Sequence, residues 1–214
     1  MSRPQKLALL AACILAIAAG ILYGILSRSG EPPRIAGFVY PEPKAISPFR
    51  LTNQDGGSFD LDALKGKWSF VYFGYTYCPD ACPTTLAELS RAHKLLADAG
   101  LDRDTQYVFV SVDSHRDTPR RLAQYVAFFD RKLLGATGSD AALTQFTREV
   151  GVAYSFPEGK KGTSYTVDHS SLIALFDPDA RLHAVFTPPQ RADEIAEGFR
   201  KILRSGARLS GGTR

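Results

Sequence analysis

WSFVYFGYTYCPDACPTTL, residues 68–86, decides the fold. Its first half is dense in aromatic and β-branched residues and reads as a buried strand over Trp68–Phe73. Beyond Pro79 and Pro83 the pattern changes, with Leu86, Leu89, His93 and Leu96 at spacings of three and four, the stripe of a helix over Thr84–Ala99. Cys78 and Cys82 sit at the turn between the two, where unpaired backbone N–H groups favour thiolate. Successive helical positions advance by about 100°, so residues four apart share one face about 6 Å apart along the axis. That separation suits two ligands of one ion, and it also permits a disulfide if the loop bends.

Downstream the chain alternates. Gln106–Val112 reads as the next strand, and Thr118-Pro119 opens a helix to Phe129 with a capping hydroxyl and a proline in the first turn. Ser139-Asp140 caps a helix to Val150, which Gly151 ends. Ser171–Phe176 and Leu182–Phe186 form a hairpin about the turn Asp177-Pro178-Asp179-Ala180, and a last helix spans Arg191–Arg204. Upstream, Phe49–Thr52 and Ser58–Leu61 flank Asp55-Gly56-Gly57, a second hairpin. Strands alternating with helices, closed by an antiparallel pair, predict an α/β fold with a mixed central sheet. A dithiol between strand and helix in that order suggests the thioredoxin-like fold.

Residues 29–46 hold most of a proline-rich stretch, SGEPPRIAGFVYPEPKAISP over 29–48, and read as an extended linker with a short strand at Ile35–Val39. Ahead of it, Leu7–Leu26 is 20 residues without a charge, ~30 Å as a helix and enough to cross a bilayer. The expected domains are therefore a membrane anchor (1–28), a linker (29–46), the folded domain (47–204) and a basic tail (205–214). Arg3 and Lys6 place the N-terminus on the cytoplasmic side and the domain on the opposite one. A cleaved signal peptide is the rival, with a passable site at Ala16-Ile17-Ala18, but its apolar stretch is usually only about 7–15 residues. Leu10-Ala11-Ala12-Cys13 resembles a lipoprotein box, yet apolar residues continue past Cys13, which reads as membrane-buried.

The net charge of +4 is unevenly placed. Residues 1–34 carry +3 and residues 200–214 carry +5, which leaves 35–199 at −4. An acidic central domain argues against nucleic acid as the partner. The basic tail reads as a solvated end.

Of three cysteines only Cys78 and Cys82 lie outside the apolar stretch, so an all-cysteine cluster is excluded, and Met1 is the one methionine. Thiolates select copper(I), zinc or iron–sulfur centres, and histidine must complete any site here. His93, eleven residues beyond Cys82, would lie ~16 Å away along the same helix and reads as a packing or partly exposed residue. His183, between Leu182 and Ala184, reads as an exposed strand position. His115 follows a strand whose end gathers at the edge where the cysteines stand, and is a weaker candidate. His169, in Tyr165-Thr166-Val167-Asp168-His169-Ser170, enters the first strand of the hairpin, the place where thioredoxin carries a cis-proline against its dithiol. From there it could meet both sulfurs.

Three stretches, FGYTYCPDACPTTLAEL, SVDSHRDTP and VDHSSLIALFDPDARL, with the anchor in front, resemble the Sco/SenC family of copper chaperones for cytochrome c oxidase assembly. The resemblance implies copper, as Cu(I) or Cu(II), held by Cys78, Cys82 and His169, with Cys78 and Cys82 also a redox-active disulfide pair. It implies delivery towards the dinuclear CuA site of oxidase subunit II, an upstream copper donor or thiol reductant, and a periplasmic or intermembrane-space domain. Asp80 and Asp113 fall on matching positions, where they would tune the site's charge or meet a partner. The chain departs from the family at Ser114-His115, where proline and glutamate are usual, which unsettles the role of that loop.

Four other readings share the dithiol. A membrane-anchored thiol–disulfide oxidoreductase would use Cys78 and Cys82 without a stable metal. A thiol peroxidase lacks its usual proline, and Thr76 stands two rather than three residues before Cys78. A structural disulfide would close too short a loop to restrain much of the chain. Zinc on Cys-Cys-His plus water is chemically plausible, so copper over zinc rests on the resemblance.

Overall fold

A computed structural model describes residues 3–26, 32–158 and 165–210. In chain order the elements are α1 (Arg3–Leu26), β1 (Gly37–Lys44), β2 (Arg50–Asn53), β3 (Ser58–Asp60), α2 (Leu61–Leu64), β4 (Trp68–Gly74), α3 (Ala81–Asp98) and β5 (Thr105–Ser111). There follow α4 (Pro119–Phe129), β6 (Leu133–Thr137), α5 (Asp140–Val150), β7 (Tyr154–Ser155), β8 (Asp168–His169), β9 (Ile173–Phe176), β10 (Leu182–Phe186) and α6 (Ala192–Ser210). The chain divides into two units, Met1–Pro32 and Pro33–Arg214. In the first, α1 is long and apolar enough to cross a membrane by length and composition.

The second unit is built on one eight-stranded sheet in the order β1-β10-β9-β4-β5-β6-β2-β3. Strands β4, β5 and β6 run parallel, and the others join antiparallel. The sheet is therefore mixed, as the alternation predicts. Its centre, β10-β9-β4-β5, is the thioredoxin-like arrangement, with the dithiol helix α3 leaving the carboxyl end of β4.

Central strands buried on both faces carry large residues on alternate sides. Phe70 lies 5.2 Å from Phe199 of α6 and 5.2 Å from Tyr107 of β5, ring centre to ring centre. Tyr72 faces Phe109, which in turn meets Tyr125 of α4 at 5.4 Å. Phe73 points the other way, to Phe146 of α5 at 5.4 Å. Helices α3, α4 and α6 thus cover one face and α5 the other, leaving Phe70, Val71, Tyr72 and Phe73 without solvent exposure.

Local signals place the helix ends. Thr118 Oγ1 accepts from Arg121 N–H ahead of Pro119, and Ser139 Oγ accepts from Ala142 N–H. Gly151, at φ +80°, takes the left-handed conformation that ends α5.

Several expectations need correction. The segment read as linker contains β1, whose residues pair with β10, so the fold begins near Pro33 rather than at 47. Residues 27–31 lie outside the described residues. Strand β6 stands between two helices where the sequence reading names no element, and α6 continues to Ser210 into the basic tail. Residues 211–214 lie outside the described residues.

Candidate metal centre

The site is assembled from the carboxyl end of β4, the first turn of α3 and the strand β8. Helix α3 begins at Ala81, three residues earlier than its apolar stripe predicts, which brings Cys82 into its first turn. The first free N–H groups are met by Cys78 Sγ, which accepts from Cys82 N–H at 3.4 Å, and by the Asp80 carbonyl, which accepts from Thr84 N–H. A sulfur in a capping position gains from carrying negative charge.

Gly74 closes β4 directly beneath. A Cβ there would stand 2.6 Å from Cys82 Sγ and 3.0 Å from Phe109, so glycine is what lets the thiol approach the strand end. Cys82 is fully buried and Cys78 half-buried, and both are free thiols.

His169 reaches this pair from the far side. Its Nε2 lies 3.3 Å from Cys82 Sγ, and its Nδ1 stands 3.2 Å from the Ser170 carbonyl. A proton on Nδ1, donated to that carbonyl, leaves the Nε2 lone pair aimed at the sulfurs. The Tyr75 ring meets the imidazole edge-on at 5.8 Å and that of Tyr72 at 6.4 Å. Behind, Tyr72 Oη lies 3.2 Å from Ser171 Oγ, and Gln190 Nε2 donates to the Ser171 carbonyl.

The donor atoms of Cys78, Cys82 and His169 all lie within 4.8 Å of one another. Donors about 2.0–2.3 Å from one ion stand about 3.5–4 Å apart, so a contraction of about 1 Å would bring these three onto a metal. Among the described residues this is the one group of three or more Cys, His, Asp or Glu side chains converging in this way.

The two thiols are not equivalent. Hydrogen bonds from the Cys82 side chain and from the backbone N–H groups of Cys82 and Asp80 outweigh partial burial and hold Cys78 down at about 3. The Cys78 sulfur and burial push Cys82 up. One sulfur carries the charge and the other the proton.

The other histidines lie elsewhere. His93 is buried, with Nδ1 2.5 Å from Asp130 Oδ2. His183 is half-buried against Trp68 rather than exposed. His115 is exposed and pairs with Asp140 at 3.3 Å, at the start of α5. Asp80 is exposed at the start of α3. Asp113 has no exposure, so it is closed to a surface partner, and its carboxylate pairs with Arg116.

Residues that sequence reasoning passed over support the same place. Asp117, with no exposure, accepts from Thr76 N–H, Thr76 Oγ1 and Ser111 Oγ at 2.5–2.8 Å, fixing the backbone two residues before Cys78. Its presence in SVDSHRDTP, already a singled-out stretch, was the signal that could have found it.

Residues 40–204 match the family described as SCO1/SenC. The chain belongs to the SCO1/SenC family. Among SCO1/SenC relatives it is 35% identical to a SCO2-like protein of Rickettsia prowazekii, over 87% of this chain and 92% of that one. It is 30% identical to a putative copper-binding protein of Stutzerimonas stutzeri, over 89% and 92%. Among solved structures, Arabidopsis thaliana ScoI with copper bound is 36% identical, with a TM-score of 0.69 over 75% of this chain and 99% of that one. Bradyrhizobium japonicum ScoI with copper bound is 35% identical, with a TM-score of 0.65 over 74% and 99%.

Proposed function

We propose that this SCO1/SenC protein binds one copper ion through Cys78, Cys82 and His169 and supports assembly of the CuA centre of cytochrome c oxidase subunit II. The convergence of two sulfurs and an imidazole nitrogen carries this reading. Two soft thiolates with one imidazole suit trigonal copper(I), and the same set takes copper(II) with an added oxygen ligand. Copper in the Arabidopsis and Bradyrhizobium relatives favours copper over zinc for this chain. The oxidase target rests on the family resemblance. Helix α1 anchors the chain, and Arg3 and Lys6 set its N-terminus in the bacterial cytoplasm or the mitochondrial matrix, so the copper domain faces the periplasm or the intermembrane space respectively.

Loading begins with Cys78 already charged and requires Cys82 to give up its proton as copper(I) displaces it. Transfer is ligand exchange: a partner's sulfur replaces the half-buried Cys78 before the buried Cys82 is released.

The unequal thiols also favour a second act at the same site. A Cys78 thiolate can attack a disulfide of the oxidase subunit to form a mixed disulfide. Cys82, once deprotonated, then attacks Cys78 Sγ and releases the subunit's second sulfur as thiolate. The product is a Cys78–Cys82 disulfide here and two free thiols there, and an external thiol reductant restores the pair.

The test uses the full chain in detergent with Cys13→Ser, reduced, titrated with copper(I) against a competing chelator. One tight equivalent is expected, weakened more than about tenfold by Cys82→Ala or His169→Ala, above about 1.4 kcal/mol. Affinity unchanged without His169 overturns the copper site. The loaded protein is then mixed with the apo CuA domain of subunit II. Appearance of the CuA spectrum supports delivery, and thiol release from the oxidised domain without copper movement supports the second act.

A further inference from the structure

We propose that Arg116 is the positioning residue that holds His169 in reach of the two sulfurs; the proposal rests on the copper-site reading above.

His169 is weakly fastened by its own backbone. Strand β8 is two residues long and, among the described residues, pairs only with the two-residue β7, Tyr154 opposite His169. Ser170 adds a bond from its N–H to the Ala153 carbonyl and one from Ala153 N–H to its own Oγ. An imidazole on so short a ladder needs side-chain support if it is to stay beside Cys82.

Arg116 supplies contacts to both ligand-bearing segments at once. Its Nε donates to Asp113 Oδ2 at 2.5 Å and its Nη1 to the Tyr165 carbonyl at 2.8 Å, four residues before His169. The guanidinium lies 3.5 Å from the centre of the Tyr165 ring, 4.8 Å from that of Tyr77 and 5.5 Å from that of Tyr75. Tyr75 and Tyr77 lead directly into Cys78, and Tyr75 also meets the His169 ring. Tyr165 Oη closes the ring of contacts by donating to Asp113 Oδ1 at 2.8 Å.

The loop that carries Arg116 is itself fixed. Asp117 grips Thr76, and Arg121 Nε donates to Thr76 Oγ1 while its guanidinium covers Tyr77 at 4.2 Å. On its other side Ser114 Oγ donates to Asp140 at 2.6 Å, while His115 meets the same carboxylate in an exposed pair that adds little. Ser114 and His115 thus face α5 and leave the Arg116 contacts intact. Arg116 and Asp113 side chains are 4% and 0% exposed, so the ion pair is shielded from screening by salt. A planar fork that stacks and donates in two directions is specific to arginine.

The test again uses the full chain in detergent with Cys13→Ser. Copper(I) competition is measured for Arg116→Met, His169→Ala and their double variant, with His115→Ala as a control in the same loop. Nuclear Overhauser contacts between the His169 ring and the Cys82 β-protons are read in the apo proteins. Arg116→Met should lower copper(I) affinity about 10–100-fold, in the range found for residues that orient ligands. It should lose the His169–Cys82 contact, and the double variant should bind no more weakly than His169→Ala alone. Arg116→Lys should not rescue binding, and His115→Ala should match the parent.

Retention of the parent's affinity and of the His169–Cys82 contact in Arg116→Met overturns the proposal, as do losses that add in the double variant. If the parent itself binds no copper, the functional reading falls, while the apo contact still decides the role of Arg116. If Arg116→Met does not fold, Tyr165→Phe, which removes the bond to Asp113, is read in its place for a weakened contact and affinity.

Discussion

Cys78 and Cys82 divide one proton and one charge between them because their surroundings differ by a single helical turn. The half-buried sulfur accepts a helix-start N–H, and the buried one sits over Gly74. The dominant cause of the low Cys78 value is its bond from the Cys82 side chain, so Cys82→Ala should move the Cys78 titration upwards. Alkylation with iodoacetamide across pH checks this. The parent should keep its Cys78 rate far into acid, and the variant should lose rate as acid is approached. Asp117 supplies a stability prediction with the opposite logic. Burial raises its carboxyl above the ordinary 3.8, so the folded state holds a proton that the unfolded chain releases. Its contribution is fullest below the unfolded value and is lost as pH rises from there through the raised folded value. The stability difference between the parent and Asp117→Asn, from urea unfolding, should therefore shift against the parent across that window and be flat on either side.

Helices and strands hold these side chains by packing that is independent of the metal chemistry. Phe146 of α5 is 1% exposed and stacks on Phe49 at 4.0 Å, with Phe73 and Phe176 beyond it. Phe146→Ala should cost about 3–5 kcal/mol in urea unfolding and leave copper affinity nearly unchanged, since α5 lies on the sheet face opposite α3. Which elements were legible follows from how each is stabilised. Strand β4 announces itself through Phe70, Val71, Tyr72 and Phe73, and α4 and α5 through their caps. Strand β6 does not, because Leu133-Leu134-Gly135-Ala136-Thr137 is short and its small residues make room for Leu122 and Val126 of α4. Strand β1 was legible only at its start, as the short strand at Ile35–Val39, because Pro41 and Pro43 signal an extended spacer unless the partner strand is known. Cys78, Cys82 and His169 could be found because their residue types are rare in this chain. Arg116 could not, since Tyr75, Tyr77, Asp113 and Tyr165 are separated by up to 90 positions and only folding shows them to be neighbours.

The whole domain needs more chain than its apolar core suggests. Pairing of β1 with β10 spans Gly37–Phe186 to Lys44–Leu182, and Val39 is buried within it. A fragment starting at Pro33 should therefore unfold cooperatively, while one starting at Ser47 should be less stable by several kcal/mol. Denaturant melts of the two fragments measure the difference directly. The edge formed by β1 carries a further consequence. Tyr-Pro-Glu-Pro-Lys, residues 40–44, places two residues without an N–H and two of opposite charge along the outermost strand. Such an edge offers little for another strand to pair with. Chains tethered by α1 would be crowded into two dimensions, where collisions between exposed sheet margins are frequent. The prolines that disguise the end of β1 in the sequence also leave its outer edge with fewer N–H groups for such a margin to pair with.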